Sequence, residues 1–199
     1  MIIFDEFVKM DVTEEFKSLF LVVIQLGSIL AVLTLYFHKL NPFSRKKTTS
    51  EKKSTWTLWS KIVVAAVPAG IIGVLFDDFL DAHLYNYIVV SIALVVYGIV
   101  FIVIERSHRS RAGRYKINSV DEIDHLTALK IGAFQTLSLI PGTSRSGSTI
   151  IGSMCVGVSR MAAAEFSFFL AIPVMLGARL LKAAKYINEF GLSFTGTEI

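Results

Sequence analysis

The chain has 199 residues, of which 53% are hydrophobic and only 18% charged, a more apolar balance than that of an average soluble domain. One cysteine, 13 glycines and 4 prolines exclude disulfide scaffolds, collagen and disordered low-complexity chains. The formal charge is +4, and the placement of the 20 basic and 16 acidic residues decides whether it means a nucleic acid or a membrane surface.

In chain order, an N-terminal stretch carries Asp5, Glu6, Asp11, Glu14 and Glu15 against Lys9 and Lys17. Acids there occupy the place of a signal peptide's basic start. Three apolar runs follow, at about 19–37, 58–76 and 87–104, each long enough for a helix to cross about 30 Å of hydrocarbon. Their polar residues are few: Gln25, Ser28, Thr34 and Ser91 are predicted to face neighbouring helices, and Lys61 to snorkel. The segment 38–57 holds Lys39, Arg45, Lys46, Lys47, Lys52 and Lys53 against Glu51, whereas the turn after the second run holds Asp77, Asp78 and Asp81. The segment 105–125 is basic again, with Arg106, Arg109, Arg111, Arg114 and Lys116. By the positive-inside rule the two basic loops are cytoplasmic, and the acidic turn and N-terminus lie outside. These loops lack interleaved aromatics and any nucleic-acid motif, so no nucleic-acid partner is predicted.

The pattern changes at 126–158. Leu126–Ile140 is too short for a span, the polar run Pro141–Thr149 (PGTSRSGST) follows, and Ile150–Val158 is short and apolar before a fourth span at about 162–181. Two short helices around a Gly/Pro/Ser loop predict a re-entrant hairpin, which is tolerated at membrane depth only inside protein or beside a watery cavity. An arginine there costs ~2.5–3.5 kcal/mol on insertion scales, so a function is the default reading of Arg145; a solvated loop outside the membrane is the alternative. Arg145, the hydroxyls of Ser144, Ser146, Ser148 and Thr149, and the N-terminus of a helix starting near Ser146 would together cradle a phosphate.

GTSRSG is neither a Walker loop nor a G-x-S-x-G elbow. His38, His83, His108 and His125 have no metal-ligand spacing and are read as structural, with no metal site predicted. Cys155 is read as packing. Arg160 and Glu165 are read as a structural ion pair at a helix start. Glu15–Leu30 also aligns on Glu165–Leu180, and the two segments would cross in opposite directions, an inverted repeat. Lys182 and Lys185, placed outside by that topology, count against it.

The run GAFQTLSLIPGTSRSGSTIIGSMCVGVSRMAAAEFSFFLAIPVMLGA, Gly132 to Ala178, closely resembles the second signature of the bacterial undecaprenyl-diphosphatase (bacitracin resistance) family. FLVVIQLGSILAVLTLYFHKLNPF, Phe20 to Phe43, resembles the stretch after its first signature. The resemblance implies an all-α integral membrane protein, a polytopic helical bundle with inverted repeats and a re-entrant hairpin in one membrane domain, 1–199. It implies a bacterial plasma-membrane enzyme that hydrolyses undecaprenyl diphosphate to the monophosphate at a site facing outside, recycling the lipid carrier of peptidoglycan synthesis. Catalytic roles fall on Arg145, Ser144 and Ser146, and substrate binding on Thr149, Gly142, Ser148 and Gln135. Implied partners are the polyprenyl diphosphate lipid and the bilayer, with a homo-oligomer left open, and the implied cofactor is a divalent cation such as Mg or Ca whose ligands this chain does not supply.

The family's first signature, an acidic E-x-x-x-E segment before a Ser-Ser-Thr-Gly-His loop, does not occur in the sequence. The expectation is a chain shortened at both ends that hydrolyses little by itself. The alternatives are an inverted-repeat transporter of polyprenyl lipids or anions, for which Glu165 is the nearest thing to an intramembrane ion ligand, and a non-catalytic fragment that packs against another membrane protein.

Overall fold

The long helix that organises the molecule begins with a reciprocal cap. Thr48 Oγ1 accepts from the Glu51 N–H at 3.3 Å, and the Glu51 carboxylate accepts from the Thr48 N–H at 2.7 Å. A computed structural model describes residues 24, 27–45, 47–84, 86–109 and 115–190. Residues 27–35 are helical and lead into a short helix α1 (Phe37–Leu40). Then come α2 (Thr49–Leu84), α3 (Tyr87–Arg109), a 3-10 turn (Val120–Glu122), α4 (His125–Gln135), a second 3-10 turn (Thr136–Leu139), α5 (Arg145–Cys155) and α6 (Arg160–Phe190).

Among the described residues three stretches are long and apolar enough to cross a membrane: Thr49–Phe76, Tyr87–Ser107 and Arg160–Gly177. The start of the first predicted run, 19–23, and Gln25 and Leu26 lie outside the described residues, as do the N-terminal acidic stretch and most of the first copy of the aligned repeat. The segment 38–57 is not all loop, because α1 and the first turns of α2 occupy much of it; α3 likewise runs on to Arg109. At about 1.5 Å per residue, α2 is about 54 Å long, well beyond the hydrocarbon thickness.

The core lies where α2, α4, α5 and α6 meet. In α2 the buried positions Leu58, Ile62, Ala65 and Ala69 recur every three or four residues, one helical stripe. They face Ile123, Ala128 and Ile131 before and in α4, and Phe166, Phe169 and Leu170 in α6, all fully buried. By contrast α3 has only 6% of its apolar window buried among the described residues. Pro68 and Pro173 sit inside α2 and α6, where each removes a backbone donor from the helical ladder.

Residues 117–158 go out and come back. The Lys116 and Ile117 N–H groups donate to Gly157 O, and Ile117 and Val158 form an isolated bridge, so the two ends of the excursion meet at its base. From there α4 climbs beside α2: His125 lies on Ser60, Gly132 on Ala65 and Leu139 on Gly73. The tip turns at Gly142, whose φ of 94° suits glycine and whose absent Cβ leaves room for Val90 O of α3. Then α5 returns, with Gly152 against Phe134. Small residues let these backbones approach.

Four sequence readings change. Lys61 does not snorkel; it is 8% exposed and its ammonium donates to Asp121 O at 2.9 Å. Arg160 and Glu165 do not pair with each other, since Arg160 binds Glu105 of α3 and Glu165 binds Lys39 at 2.9 Å. Each ties α6 to a different segment, which residue spacing along one helix did not show. Cys155 is exposed and not packed inside. Ser28, Thr34 and Ser91 donate to carbonyls of their own helices at Ile24, Ala31 and Tyr87, which satisfies their hydroxyls without a neighbouring helix.

Candidate active site

The hairpin tip collects the predicted residues by local chemistry. Ser144 is the N-cap of α5, accepting from the Gly147 N–H at 3.2 Å, so the helix starts at Arg145, one residue before the expected point. The N–H groups of Arg145 and Ser146 have no helical acceptor, and they join the positive end of the dipole. Ser144 Oγ and Ser146 Oγ are 3.4 Å apart, placing two hydroxyls beside those N–H groups.

Ser148 and Thr149 point the other way, into the protein. Both are fully buried. Ser148 Oγ accepts from Tyr97 of α3 at 2.9 Å and donates to Ser144 O at 3.1 Å. Thr149 Oγ1 shares a hydrogen bond with Ser167 of α6, and Ser153 donates to Thr149 O at 2.7 Å. Their role in the observed geometry is therefore to moor α5 to α3 and α6. Tyr97, Ser153 and Ser167 were missed in the sequence; a signal existed, because polar side chains within apolar helices turn toward protein in a bilayer.

Among the described residues four buried side-chain polar atoms lack a hydrogen-bond partner, and three belong to predicted site residues: both amide atoms of Gln135 and Nη1 of Arg145. Buried polar atoms are ordinarily satisfied, so these atoms stand out in the described fold. Gln135 is fully buried at the end of α4, and Arg145 has no acidic partner among the described ion pairs. An unpaired guanidinium, free helix N–H groups and hydroxyls are a donor set for phosphate oxygens.

The same set does not fit a metal. Among the described residues no group of three His, Cys, Asp or Glu is placed to hold one, and Arg145 would repel a cation. A cleft lined by Lys39, Lys47, Glu51, Thr55 and Asp121 lies at the other end of the bundle, and none of the predicted site residues borders it.

The sequence profile of the bacitracin resistance protein BacA matches residues 1–198. An undecaprenyl-diphosphatase of Enterococcus faecalis is 56% identical over 194 residues, covering 96% of this chain and 70% of that protein. Those of Limosilactobacillus fermentum and Acetivibrio thermocellus are 53% and 51% identical, over 96% and 100% of this chain and 68% and 71% of theirs. With membrane-length helices, an all-helical described fold and a match running along nearly its whole length, this chain is a multi-pass membrane protein of the bacitracin resistance protein BacA family.

Proposed function

We infer that the chain acts on undecaprenyl diphosphate, hydrolysing it to undecaprenyl phosphate and phosphate. This step recycles the lipid carrier of peptidoglycan synthesis and underlies bacitracin resistance. The observation that carries the reading is the half-buried, acid-free Arg145 at the α5 N-terminus, its Nη1 buried without a partner, in a chain 56% identical to an undecaprenyl-diphosphatase. Arg145 neutralises the diphosphate and the charge that grows on its bridging oxygen as the bond breaks. Donors fixed before the reaction stabilise such charge most. The N–H groups of Arg145 and Ser146 hold the nonbridging oxygens, and the Gln135 amide supplies a further donor from α4.

Ser144 and Ser146 act as donors here. No described hydrogen bond joins either hydroxyl to a His, Lys, Asp or Glu side chain, and a serine nucleophile needs such a proton acceptor. A divalent cation bound to the diphosphate would need carboxylates that the described cradle does not provide, so no step is routed through one.

Gly142 lets the tip reach Val90, near the start of α3 and the acidic turn, while the basic segment lies at the opposite end of α2. That arrangement supports a site opening to the outer face of the bacterial plasma membrane. An ion-coupled transporter reading loses its candidate carboxylate, because Glu165 is already bound to Lys39.

The test is phosphate release from undecaprenyl diphosphate by the purified protein and by Arg145→Ala and Arg145→Lys variants. We expect Arg145→Ala to lose about 10²–10³-fold in rate, the cost of removing one preorganised donor, with partial recovery in Arg145→Lys. Equal rates in all three would remove Arg145 from the reaction.

A further inference from the structure

The basic segment before α2 spends some of its charge internally. The Lys47 ammonium donates to Lys39 O at 3.1 Å and to Thr55 Oγ1 at 2.7 Å, and Lys39 holds Glu165. Glu51, the segment's single acid, is bound to Thr48 in the α2 cap. Arg45, Lys52 and Lys53 are left over, and among the described residues none of them has an acidic partner.

The fold then does something the linear sequence hid. Phe43 and Trp56 flank the segment from either side, and they meet edge to face with ring centroids 6.1 Å apart. They remain 78% and 57% exposed. An Asx turn holds Phe43 in place, its N–H donating to Asn41 Oδ1 at 2.9 Å. Trp56 stands two residues before the apolar run 58–76, at the edge of the hydrocarbon. Lys52 and Lys53 are four and three residues earlier on the same helix face, about 4.5–6 Å further out along the axis. Aromatic rings at the boundary with amines one turn beyond match the vertical order of a phospholipid, ester region first and headgroup phosphate next.

We propose that Phe43, Arg45, Lys52, Lys53 and Trp56 form a docking surface for anionic phospholipid headgroups on the membrane face opposite the hairpin tip. The rings seat at the glycerol level, and the three unpaired cations take the phosphate and the extra negative charge of the headgroup. Charge complementarity selects the occupant: a zwitterionic lipid brings its own ammonium against the patch, and an anionic one does not.

The test uses the full chain carrying Trp59→Phe, which leaves Trp56 as the only tryptophan, reconstituted in phosphatidylcholine vesicles with a minor fraction of phosphatidylglycerol. Bromine is placed on the acyl chains of either lipid at equal mole fraction, and quenching of Trp56 is compared. We expect brominated phosphatidylglycerol to quench about twofold more strongly than brominated phosphatidylcholine, and high salt to erase the excess. Neutralising the patch with Arg45→Gln, Lys52→Gln and Lys53→Gln should make the two lipids equal. Equal quenching with the cations intact overturns the proposal, and so does an excess that survives their removal. Phosphate release reports separately on the hairpin tip, so failure of either assignment leaves the other standing.

Discussion

Gly132→Ala is the most direct probe of how the hairpin is held. A Cβ at Gly132 would lie 2.2 Å from Ala65 O, with Ala65 C and Cα at 2.8 and 2.9 Å. All three are backbone atoms of α2, so no side chain can swing aside. Restoring an ordinary contact moves α4 away from α2 by about 1 Å, toward the usual carbon contact distance. Overpacking of this kind costs about 1–3 kcal/mol. A displacement of about 1 Å at a reacting geometry costs about 100-fold in rate. Gly70→Ala is the control, because nothing lies within 4 Å of the Cβ it would add in the same helix α2. That change should be neutral or stabilise by about 0.5–1 kcal/mol through lower backbone entropy in the unfolded chain. The assays are thermal unfolding in one detergent and phosphate release from undecaprenyl diphosphate. A Gly132→Ala protein that melts no lower than Gly70→Ala and keeps full activity would refute the contact argument.

Thr149→Val keeps the shape of a fully buried side chain but strands Ser167, and it should lower stability by about 1–3 kcal/mol, read as a reduced Tm. Tyr97→Phe deletes the donor to Ser148 and should cost about 0.5–1.5 kcal/mol; the fall in phosphate release should appear in kcat more than in KM, since Tyr97 moors α5 without touching the ligand. At the base, the hydrogen bond from Thr127 holds the Asp124 carboxyl below the usual carboxylate range. Its stabilising effect is full above the unfolded-state pKa and is lost as pH falls through the lower folded value. Acid melting curves of Asp124→Asn should therefore lose that pH dependence while the α4 cap persists.

What the sequence made visible at the hairpin tip is local: an N-cap serine, the next residue an arginine, and a Gly-containing turn all lie within Pro141–Gly147. It also marked Gln135, through resemblance and not through any local pattern. What stayed hidden depended on contacts between distant segments. Lys61 looked like a snorkelling cation because nothing in its own run reveals the Asp121 carbonyl, 60 residues away, that receives it. Ser148 and Thr149 looked like phosphate ligands because hydroxyls in a Ser/Thr-rich loop carry no sign of direction; only Tyr97 and Ser167 show that these two turn inward. Arg160 and Glu165 shared a helix, yet each found its partner on another one.

The Ile117–Val158 bridge recasts how the cradle is assembled during synthesis. Because it closes the excursion at its base, both ends of the hairpin lie together while Arg145 stands at the far tip. The ribosome has already delivered α2 and α3, the walls that Gly132 and Gly142 touch, when the hairpin emerges. A further tie comes from α6, whose Ser167 shares a hydrogen bond with Thr149 of α5.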